Sequence, residues 1–177
     1  MSVYKITTSR FGLFRMRDGD QEKYYSLSCN EKVMKFVTGY ALTREESDEM
    51  FRGFLLENDL DKDLGRYFIE DKISGELIGA AKLDKVGEEI EIGYRIQEAH
   101  WGKGVATEIA SGLVRYARNH MRSKSVIAFV NVDNAASIRV LQKAGMVNVE
   151  RIEDPDEIKY KFRFLPKIKR IIKILLP

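Results

Sequence analysis

The first 60 residues combine one strand-like segment with two helical ones. The segment FGLFRMR (11–17) alternates in the manner of a β-strand, and a turn sequence, DGD, follows it. Helical patterns occupy the region near 21–37 and the region from 43 to 57. The second of these begins with Thr43 and has Glu46 three residues later, which is the spacing of a capping box. We therefore expect a strand followed by two helices.

Three strand-like segments come next, at 66–72, 76–83 and 88–96. Their connections are short, and a Ser-Gly turn precedes the second, so the pattern favours an antiparallel meander. Along the third segment, alternation places Glu91 and Arg95 on one face of the strand and the isoleucines on the other.

The second half of the chain predicts a strand–helix–strand crossover followed by further elements. A long helical pattern runs from about 104 to 121, and the apolar segment SVIAFV (125–130) is typical of a buried central strand. The remaining elements are a helix at 135–143, which Gly145 ends, and strands at 146–152 and 157–164. The order of elements predicts a mixed α+β fold, with a mostly antiparallel central sheet flanked by helices.

The composition favours one globular domain, which we expect to cover residues 1–165. The chain has 177 residues, and 44% of them are hydrophobic, enough for a sizeable core. No window approaches the ~18 apolar residues of a membrane span, and the first residues lack a secretion signal, so we expect a cytoplasmic protein. Cys29, His100 and His120 are too few and too scattered for a metal site, and none is expected.

The charge is distributed unevenly along the chain. Lys and Arg total 30 against 27 Asp and Glu, a net charge of +3. Residues 159–177 contain basic residues and no acidic ones, so the remainder is mildly acidic. The segment PKIKRIIKILLP (166–177) has the pattern of a basic amphipathic helix. We expect this tail to contact the body of the protein or another subunit of a homodimer, with RNA or anionic lipid as alternative partners.

The segment WGKGVATE (101–108) is the first candidate for chemistry. It leads from a strand directly into a helix, and Gly102, Gly104 and Ala106 are small enough to let an anion approach the backbone. The spacing suits a phosphate or pyrophosphate. It matches neither a Walker A loop nor a dinucleotide fingerprint, because the required Ser, Thr and Gly positions differ. The alternative is a glycine-rich turn packed closely against the sheet.

A second segment, NAASIRVLQKAGM (134–146), together with the first indicates a family resemblance. The chain resembles the GNAT superfamily of acetyltransferases, and within it the RimJ/RimL type of ribosomal-protein N-acetyltransferases. The loop at 101–108 is similar to the superfamily's Q/R-x-x-G-x-G/A signature, and the second segment to its N-x-x-S-x-x-x-x-x-K-x-G-F block. The resemblance covers residues 10 to about 152.

This resemblance implies an acetyl-CoA site in a V-shaped opening between the strands at 88–96 and 125–130, without a metal. The backbone at Ile96 would bind the pantetheine arm and help to polarise the thioester carbonyl. Asn134 and Ser137 would face the pantetheine and phosphates; the alternatives are a helix N-cap for Asn134 and an exposed first-turn serine for Ser137. The implied pyrophosphate contacts are the backbone amides of Gly102, Lys103, Gly104, Val105, Ala106 and Thr107.

Three positions depart from the superfamily pattern. Trp101 stands where the signature has Gln or Arg, a substitution also found in the RimJ/RimL type. Leu141 stands where many members have a tyrosine that protonates the leaving thiolate, so this chain has no acid at that position. Met146 replaces the usual phenylalanine after the glycine, which conserves its apolar character.

Glu91 is the candidate general base, because direct attack of an amine on a thioester needs a group that takes its proton. It lies five residues before Ile96, on the strand from which members of the superfamily often supply a base, directly or through water. The alternative is a solvated glutamate paired with Arg95. For Glu108, stabilisation of the helix dipole is sufficient explanation, and Tyr94 either lines the acceptor pocket or fills the core.

The resemblance thus implies an acetyl-CoA-dependent N-acetyltransferase that acts on a primary amine, either a small molecule or a protein N-terminus, by direct attack in a ternary complex. The alternative function is a non-catalytic module that senses acyl-CoA or docks on RNA or a membrane, which the leucine at position 141 favours. The residues expected to wall the acceptor site, 18–43, contain no signature of a particular substrate.

Overall fold

Eight strands form one sheet in the computed structural model, which describes residues 4–165. The strands are β1 (Ile6–Thr7), β2 (Phe11–Arg15), β3 (Gly65–Asp71), β4 (Leu77–Val86), β5 (Glu89–Ile96), β6 (Val126–Asn131), β7 (Met146–Glu153) and β8 (Ile158–Phe164). Their order across the sheet is β1-β2-β3-β4-β5-β6-β8-β7. Neighbours run antiparallel except β5 and β6, which are parallel. The basic tail predicted at 166–177 lies outside the described residues.

Five α-helices flank this sheet within the described range. They are α1 (Gln21–Ser28), α2 (Glu31–Met34), α3 (Arg44–Leu60), α4 (Val105–Asn119) and α5 (Ala135–Lys143). A short 3-10 turn, Glu98–His100, lies between β5 and α4. The mixed α+β architecture predicted from the sequence is confirmed.

The region 21–37 contains two helices, so the prediction of one continuous helix there is wrong. Asn30 has an extended backbone conformation, with φ −97° and ψ 113°, and its side chain accepts a hydrogen bond from Val33 N. It therefore caps α2 and separates it from α1. At the next helix the structure agrees with the sequence, because Thr43 and Glu46 form the predicted capping box.

Helix α4 covers one face of the sheet. Its buried side chains include Ile109, Leu113, Val114 and Ala117, the apolar stripe expected from helical spacing, and they pack against the inward-facing residues of β1–β6. Helix α5 adds the buried Leu141 to the same core. This face positions the start of α4 beside the end of β5.

Helices α1, α2 and α3 cover the opposite face over β2–β4. Tyr24, Met34 and Phe51 from these helices pack against Phe68 and Ala80 from the strands. The two faces thus have separate cores. From Ala80 onward the even-numbered residues of β4 lie on the face with α1–α3, as do the odd-numbered residues of β5, whereas Ile78 packs in the other core. This assignment decides which side chains of β5 share a wall with α1–α3.

Strands β5 and β6 diverge after a short region of pairing. They are hydrogen-bonded at two residue pairs, Ile90 with Val126 and Glu91 with Ile127. Beyond Glu91, β5 stays paired with β4 and β6 stays paired with β8. A V-shaped opening therefore forms between the carboxyl-terminal halves of the two parallel strands, as expected. In an α/β arrangement this is the edge at which ligands bind.

Candidate active site

The opening between β5 and β6 continues into a cavity of about 390 Å³. Its walls come from both sides of the sheet, with β5, β6 and α5 on one side and α1 and α3 on the other. A cavity of this size suits a small organic ligand. Because it joins two faces at the point where the sheet opens, it can bring together molecules that enter from different sides.

The loop before α4 ends in an uncapped helix N-terminus. Gly102 and Gly104 have φ angles of 74° and 73°, a region that glycine adopts without strain. Helix α4 begins at Val105, and no side chain of residues 4–165 caps it, so the first-turn amides point toward any bound anion. A β-carbon at Gly102 would meet no atom of the described chain within 4 Å. The glycines therefore serve backbone conformation rather than close packing against the sheet.

The other residues predicted for this loop differ in what they offer. Lys103 is exposed beside the two glycines, and Ala106 and Thr107 are half-buried in the first turn of α4. The Val105 side chain is buried in the core, so this residue offers the site only its backbone amide. The structure thus brings the predicted loop residues together around one helix end.

Arg10 lies against this loop, although no pattern in the sequence points to it. Its Nη1 donates a hydrogen bond to the Lys103 carbonyl at 3.3 Å, and its Nη2 lies 3.9 Å from where a β-carbon at Gly104 would be. Arg10 precedes β2 and is 93 residues from Lys103, so no local pattern connects the two. It places a guanidinium beside the candidate phosphate site.

A hydrogen bond made by Trp101 accounts for a tryptophan at the position where the superfamily signature has Gln or Arg. Its indole Nε1 donates a hydrogen bond to the Ile96 carbonyl at 2.8 Å. The side chain thereby fixes the start of the loop to the end of β5. It also occupies one of the Ile96 backbone groups that were expected to contact the pantetheine arm.

Asn134, Ser137 and Tyr94 line the cavity together. Asn134 Oδ1 accepts a hydrogen bond from Ser137 N at 3.0 Å, which is the helix N-cap given above as its alternative role. The Ser137 and Tyr94 hydroxyls lie 2.8 Å apart, so Ser137 is not the freely exposed serine of the alternative reading. The pair joins β5 to the first turn of α5.

Tyr94 places a phenol near Leu141, the position at which many superfamily members have a tyrosine. Leu141 is buried, lines the cavity and lies one helical turn after Ser137, the hydrogen-bond partner of Tyr94. Burial raises the pKa of Tyr94 to about 12, and the hydrogen bond with Ser137 opposes this only in part. The phenol therefore remains protonated near neutral pH and is available as a hydrogen-bond donor.

Glu91 lines the cavity and is ion-paired with Lys82 rather than with Arg95. Lys82 Nζ lies 2.6 Å from Glu91 Oε1 and 2.9 Å from Asp84 Oδ2. A β-carbon at Gly93 would come within 2.7 Å of Lys82 Cγ, so the glycine provides the space in which the lysine crosses β5. The Glu91 side chain is 13% exposed and is therefore not a solvated surface glutamate.

The α1–α3 side of the cavity is mostly apolar and aromatic. Tyr24, Met50 and Phe54 line it, and Phe36 lies at its rim with 39% of its surface exposed. Arg95 extends from β5 into this wall, where its guanidinium lies 4.7 Å from the centre of the Tyr24 ring. This half of the cavity suits a ligand with an apolar part.

The remaining titratable candidates lie away from the cavity. His100 Nε2 lies 3.2 Å from Glu76, and His120 stacks on Tyr116. Groups of His, Cys, Asp or Glu that could hold a metal ion do not occur in the part of the chain described, residues 4–165. Within the same range, no helix combines the length and apolar character needed to cross a membrane.

Comparison with known proteins identifies related sequences. Residues 10–147 match the model of the acetyltransferase (GNAT) domain. The chain is 31% identical over 149 residues to the uncharacterized protein YkkB of Bacillus subtilis (strain 168), covering 80% of this chain and 84% of YkkB. It is also 31% identical over 147 residues to the uncharacterized N-acetyltransferase YoaA of the same organism, covering 79% and 81% of the two chains.

Solved structures of low sequence identity share the fold. A GNAT-family acetyltransferase from Bacillus anthracis superimposes with a TM-score of 0.78 at 24% identity, covering 90% of this chain and 97% of that protein. Spermidine N-acetyltransferase from Vibrio cholerae, in complex with CoA and spermine, gives a TM-score of 0.72 at 20% identity, with 89% and 96% covered.

Proposed function

The chain belongs to the GNAT acetyltransferase family and is an acyltransferase, and we propose that it transfers the acetyl group of acetyl-CoA to a primary amine. The observation that carries this proposal is the parting of β5 and β6 beside the uncapped N-terminus of α4. One end of an acyl-CoA is anionic and the other is a thioester. The helix end suits the first, and the cavity suits the second.

In this proposal the loop from Gly102 to Thr107 binds the pyrophosphate through its amides, and Arg10 adds positive charge. Ile96, at the end of β5, contacts the pantetheine arm through its backbone N–H, because Trp101 already binds its carbonyl. Asn134 and Ser137 face the same arm from the start of α5, where both line the cavity. The open space over Gly102 and the free first-turn amides fit this role.

The acetyl transfer needs a proton acceptor and a group that stabilises the developing negative charge. The amine nitrogen bonds to the acetyl carbon, the carbon–sulfur bond breaks, and the amine proton passes to Glu91 directly or through water. The leaving thiolate takes a proton from solvent. Tyr94 donates a hydrogen bond to the developing negative charge, a role that suits a phenol with a raised pKa better than proton release does.

Lys82 is ion-paired with both Glu91 and Asp84, so it must leave Glu91 before that carboxylate can accept the amine proton. Because Asp84 also pairs with it, Lys82 keeps a partner when an acceptor amine takes its place beside Glu91. The ion pair therefore holds Glu91 in position before the acceptor arrives. After acceptor binding, the carboxylate is released for proton transfer.

The RimJ/RimL type stays part of this proposal, supported by the motif segments at 101–108 and 134–146. The proposal does not include a ribosomal protein as the acceptor of the acetyl group. A cytoplasmic location and a homodimer are predictions of the same kind. The non-catalytic alternative is not retained, because family membership makes the chain an enzyme.

The test combines calorimetric binding of acetyl-CoA with an assay of thiol release over a panel of primary amines. We expect acetyl-CoA to bind and at least one class of amine to release CoA, with the N-acetylated amine detected by mass spectrometry. Binding of acetyl-CoA without thiol release on any amine contradicts the proposed transfer. Lack of binding contradicts the cofactor site as well.

A further inference from the structure

Arg95 is an arginine of the cavity wall whose guanidinium has no carboxylate partner among residues 4–165. Its contacts are the Tyr24 ring, 4.7 Å away, and Met34 Sδ, to which Nη1 donates at 3.0 Å. Arg66, in the same cavity, is by contrast paired with both Glu57 and Asp84. A half-buried guanidinium without a counter-charge is poorly compensated, so Arg95 is suited to bind an anionic group of a ligand.

The position of Arg95 on β5 decides which ligand it meets. It pairs in register with Ala80, whose side chain belongs to the core beneath α1–α3. The pyrophosphate loop leads into α4, which covers the opposite face of the sheet. Arg95 therefore faces the acceptor half of the cavity, about 7 Å along the strand from Gly93.

The charges in the cavity exclude a polycation as the preferred acceptor. Each of the two acids that line it already has a lysine partner: Glu91 pairs with Lys82 at 2.6 Å, and Glu157 pairs with Lys159 at 2.7 Å. Arg95 adds a positive charge that no acid of residues 4–165 balances. A molecule with several ammonium groups would therefore find a net positive wall rather than free carboxylates.

The apolar surface next to Arg95 indicates that the acceptor also has an apolar part. Tyr24, Met50 and Phe54 form the wall, and Phe36 lies at the rim. Burial of an apolar group there adds binding free energy that a purely polar amine would not gain. The acceptor thus needs three parts, namely an amine, an anionic group and an apolar side chain.

We propose that the acceptor is a small amino acid with an apolar or aromatic side chain, whose carboxylate is bound by Arg95. This inference rests on the acetyltransferase activity proposed above. The α-amine then lies on the Glu91 side of Arg95, where its nitrogen bonds to the acetyl carbon, CoA leaves as the thiol, and an N-acetyl amino acid forms. A protein N-terminus lacks the α-carboxylate and leaves Arg95 without a counter-charge.

The experiment compares amino acids with the amines that lack only the carboxylate. The pairs are phenylalanine with phenethylamine, methionine with 3-(methylthio)propylamine, and leucine with isoamylamine. For the wild-type enzyme we expect kcat/KM to be ~10-fold or more higher for the amino acid of at least one pair, as removal of a charged hydrogen-bond partner predicts. This comparison needs no variant.

Variants then assign the preference to Arg95. Arg95→Met is expected to remove it by lowering kcat/KM for the amino acid and leaving that for the amine nearly unchanged. Arg95→Lys is expected to retain part of it. The matched control is Arg118→Met, because Arg118 also stacks on an aromatic ring, Phe164 at 5.2 Å, but lies outside the cavity.

Several outcomes overturn this inference and leave acetyl transfer intact. They are equal kcat/KM within every pair, faster acetylation of spermidine or of an N-terminal peptide, and an equal loss for both members of a pair in Arg95→Met. Calorimetric titration of the three amino acids into the CoA-saturated protein gives a reading independent of turnover. Binding weakened by Arg95→Met but not by Arg118→Met supports the inference, and lack of amino acid binding contradicts it. Failure of acetyl-CoA to bind contradicts the proposed function instead.

Discussion

Arg10 and Glu108 form an ion pair that ties the turn between β1 and β2 to the first turn of α4, with Arg10 Nε 2.7 Å from Glu108 Oε2. The other carboxylate oxygen accepts hydrogen bonds from the Arg10 amide at 2.8 Å and the Thr8 hydroxyl at 2.7 Å. Burial alone would raise the pKa of Glu108, but these donors outweigh it and hold the pKa below its ordinary value. Glu108 thus has a structural partner in addition to the helix dipole, and it fixes Arg10 beside the phosphate loop.

Replacing Arg10 tests whether this guanidinium supports cofactor binding. We expect Arg10→Ala to weaken acetyl-CoA binding several-fold and to lower the free energy of unfolding by about 1 kcal/mol, because the pair is partly exposed. Calorimetry and denaturant unfolding measure the two effects. Arg17→Ala is the control, since Arg17 is exposed. Unchanged affinity in a folded Arg10→Ala protein would make the arginine purely structural.

Replacing Gly104 tests whether the pyrophosphate of acetyl-CoA binds at the start of α4. We expect Gly104→Glu to abolish measurable acetyl-CoA binding, because it adds a side chain and a negative charge at the helix N-terminus. Gly75→Glu controls for backbone strain from a positive φ, because φ is 71° at Gly75 and a β-carbon there would meet no described atom within 4 Å, whereas at Gly104 it would meet Arg10 Nη2 at 3.9 Å. That control should melt at a similar temperature and bind acetyl-CoA normally. A folded Gly104→Glu protein with wild-type affinity would refute the assignment.

How well the sequence predicted the structure depends on how far apart the interacting residues lie in the chain. The α4 stripe and the Thr43 capping box depend on residues within one or two turns, and both are found. Asn30 interrupts a helical pattern through a cap that apolar periodicity does not register. The pairing of Lys82 with Glu91 depends on the register of β4 and β5 and on the space at Gly93. Sequence inspection did not identify this pair and named Arg95 only as a partner in the alternative role of Glu91.

Glu91→Gln tests the general base. We expect turnover to fall ~10²-fold at saturating acceptor, while acetyl-CoA affinity stays nearly unchanged, because the carboxylate serves the amine. Steady-state kinetics and calorimetry measure the two quantities. Glu88→Gln is the control, since Glu88 is exposed at the turn before β5. A decrease of less than a few-fold would remove Glu91 from the mechanism.

Glu89 is expected to make stability depend on acid pH. It accepts hydrogen bonds from Lys161, from Arg163 Nη2 at 2.7 Å and from Ser125 Oγ at 2.7 Å. Burial would raise its pKa, but these donors lower it from 4.5 to about 2. Because the folded pKa lies below the unfolded one, the stabilisation is complete above about pH 4.5 and is lost as pH falls toward about 2.

Denaturant unfolding of the wild type and Glu89→Gln at several pH values measures this effect. At pH 7 the variant should be less stable by about 2 kcal/mol, since it leaves two cations without their counter-charge. The difference should narrow steadily between pH 4.5 and pH 2. A difference that does not vary with pH would show that the ionised carboxylate is not the stabilising group.

Tyr94→Phe tests hydrogen-bond donation to the reacting thioester. Ser137 holds the phenol in the cavity, and burial keeps it protonated, so removal of the hydroxyl should lower kcat ~10-fold or more while acetyl-CoA affinity changes little. Ser137→Ala separates reaction from structure, because it removes the same hydrogen bond and leaves the phenol in place. With a pKa of about 12, Tyr94 should add no inflection to the rate profile between pH 6 and pH 10, so the Phe variant should keep the wild-type profile at a lower level. Equal losses in Tyr94→Phe and Ser137→Ala would show that the pair only joins β5 to α5.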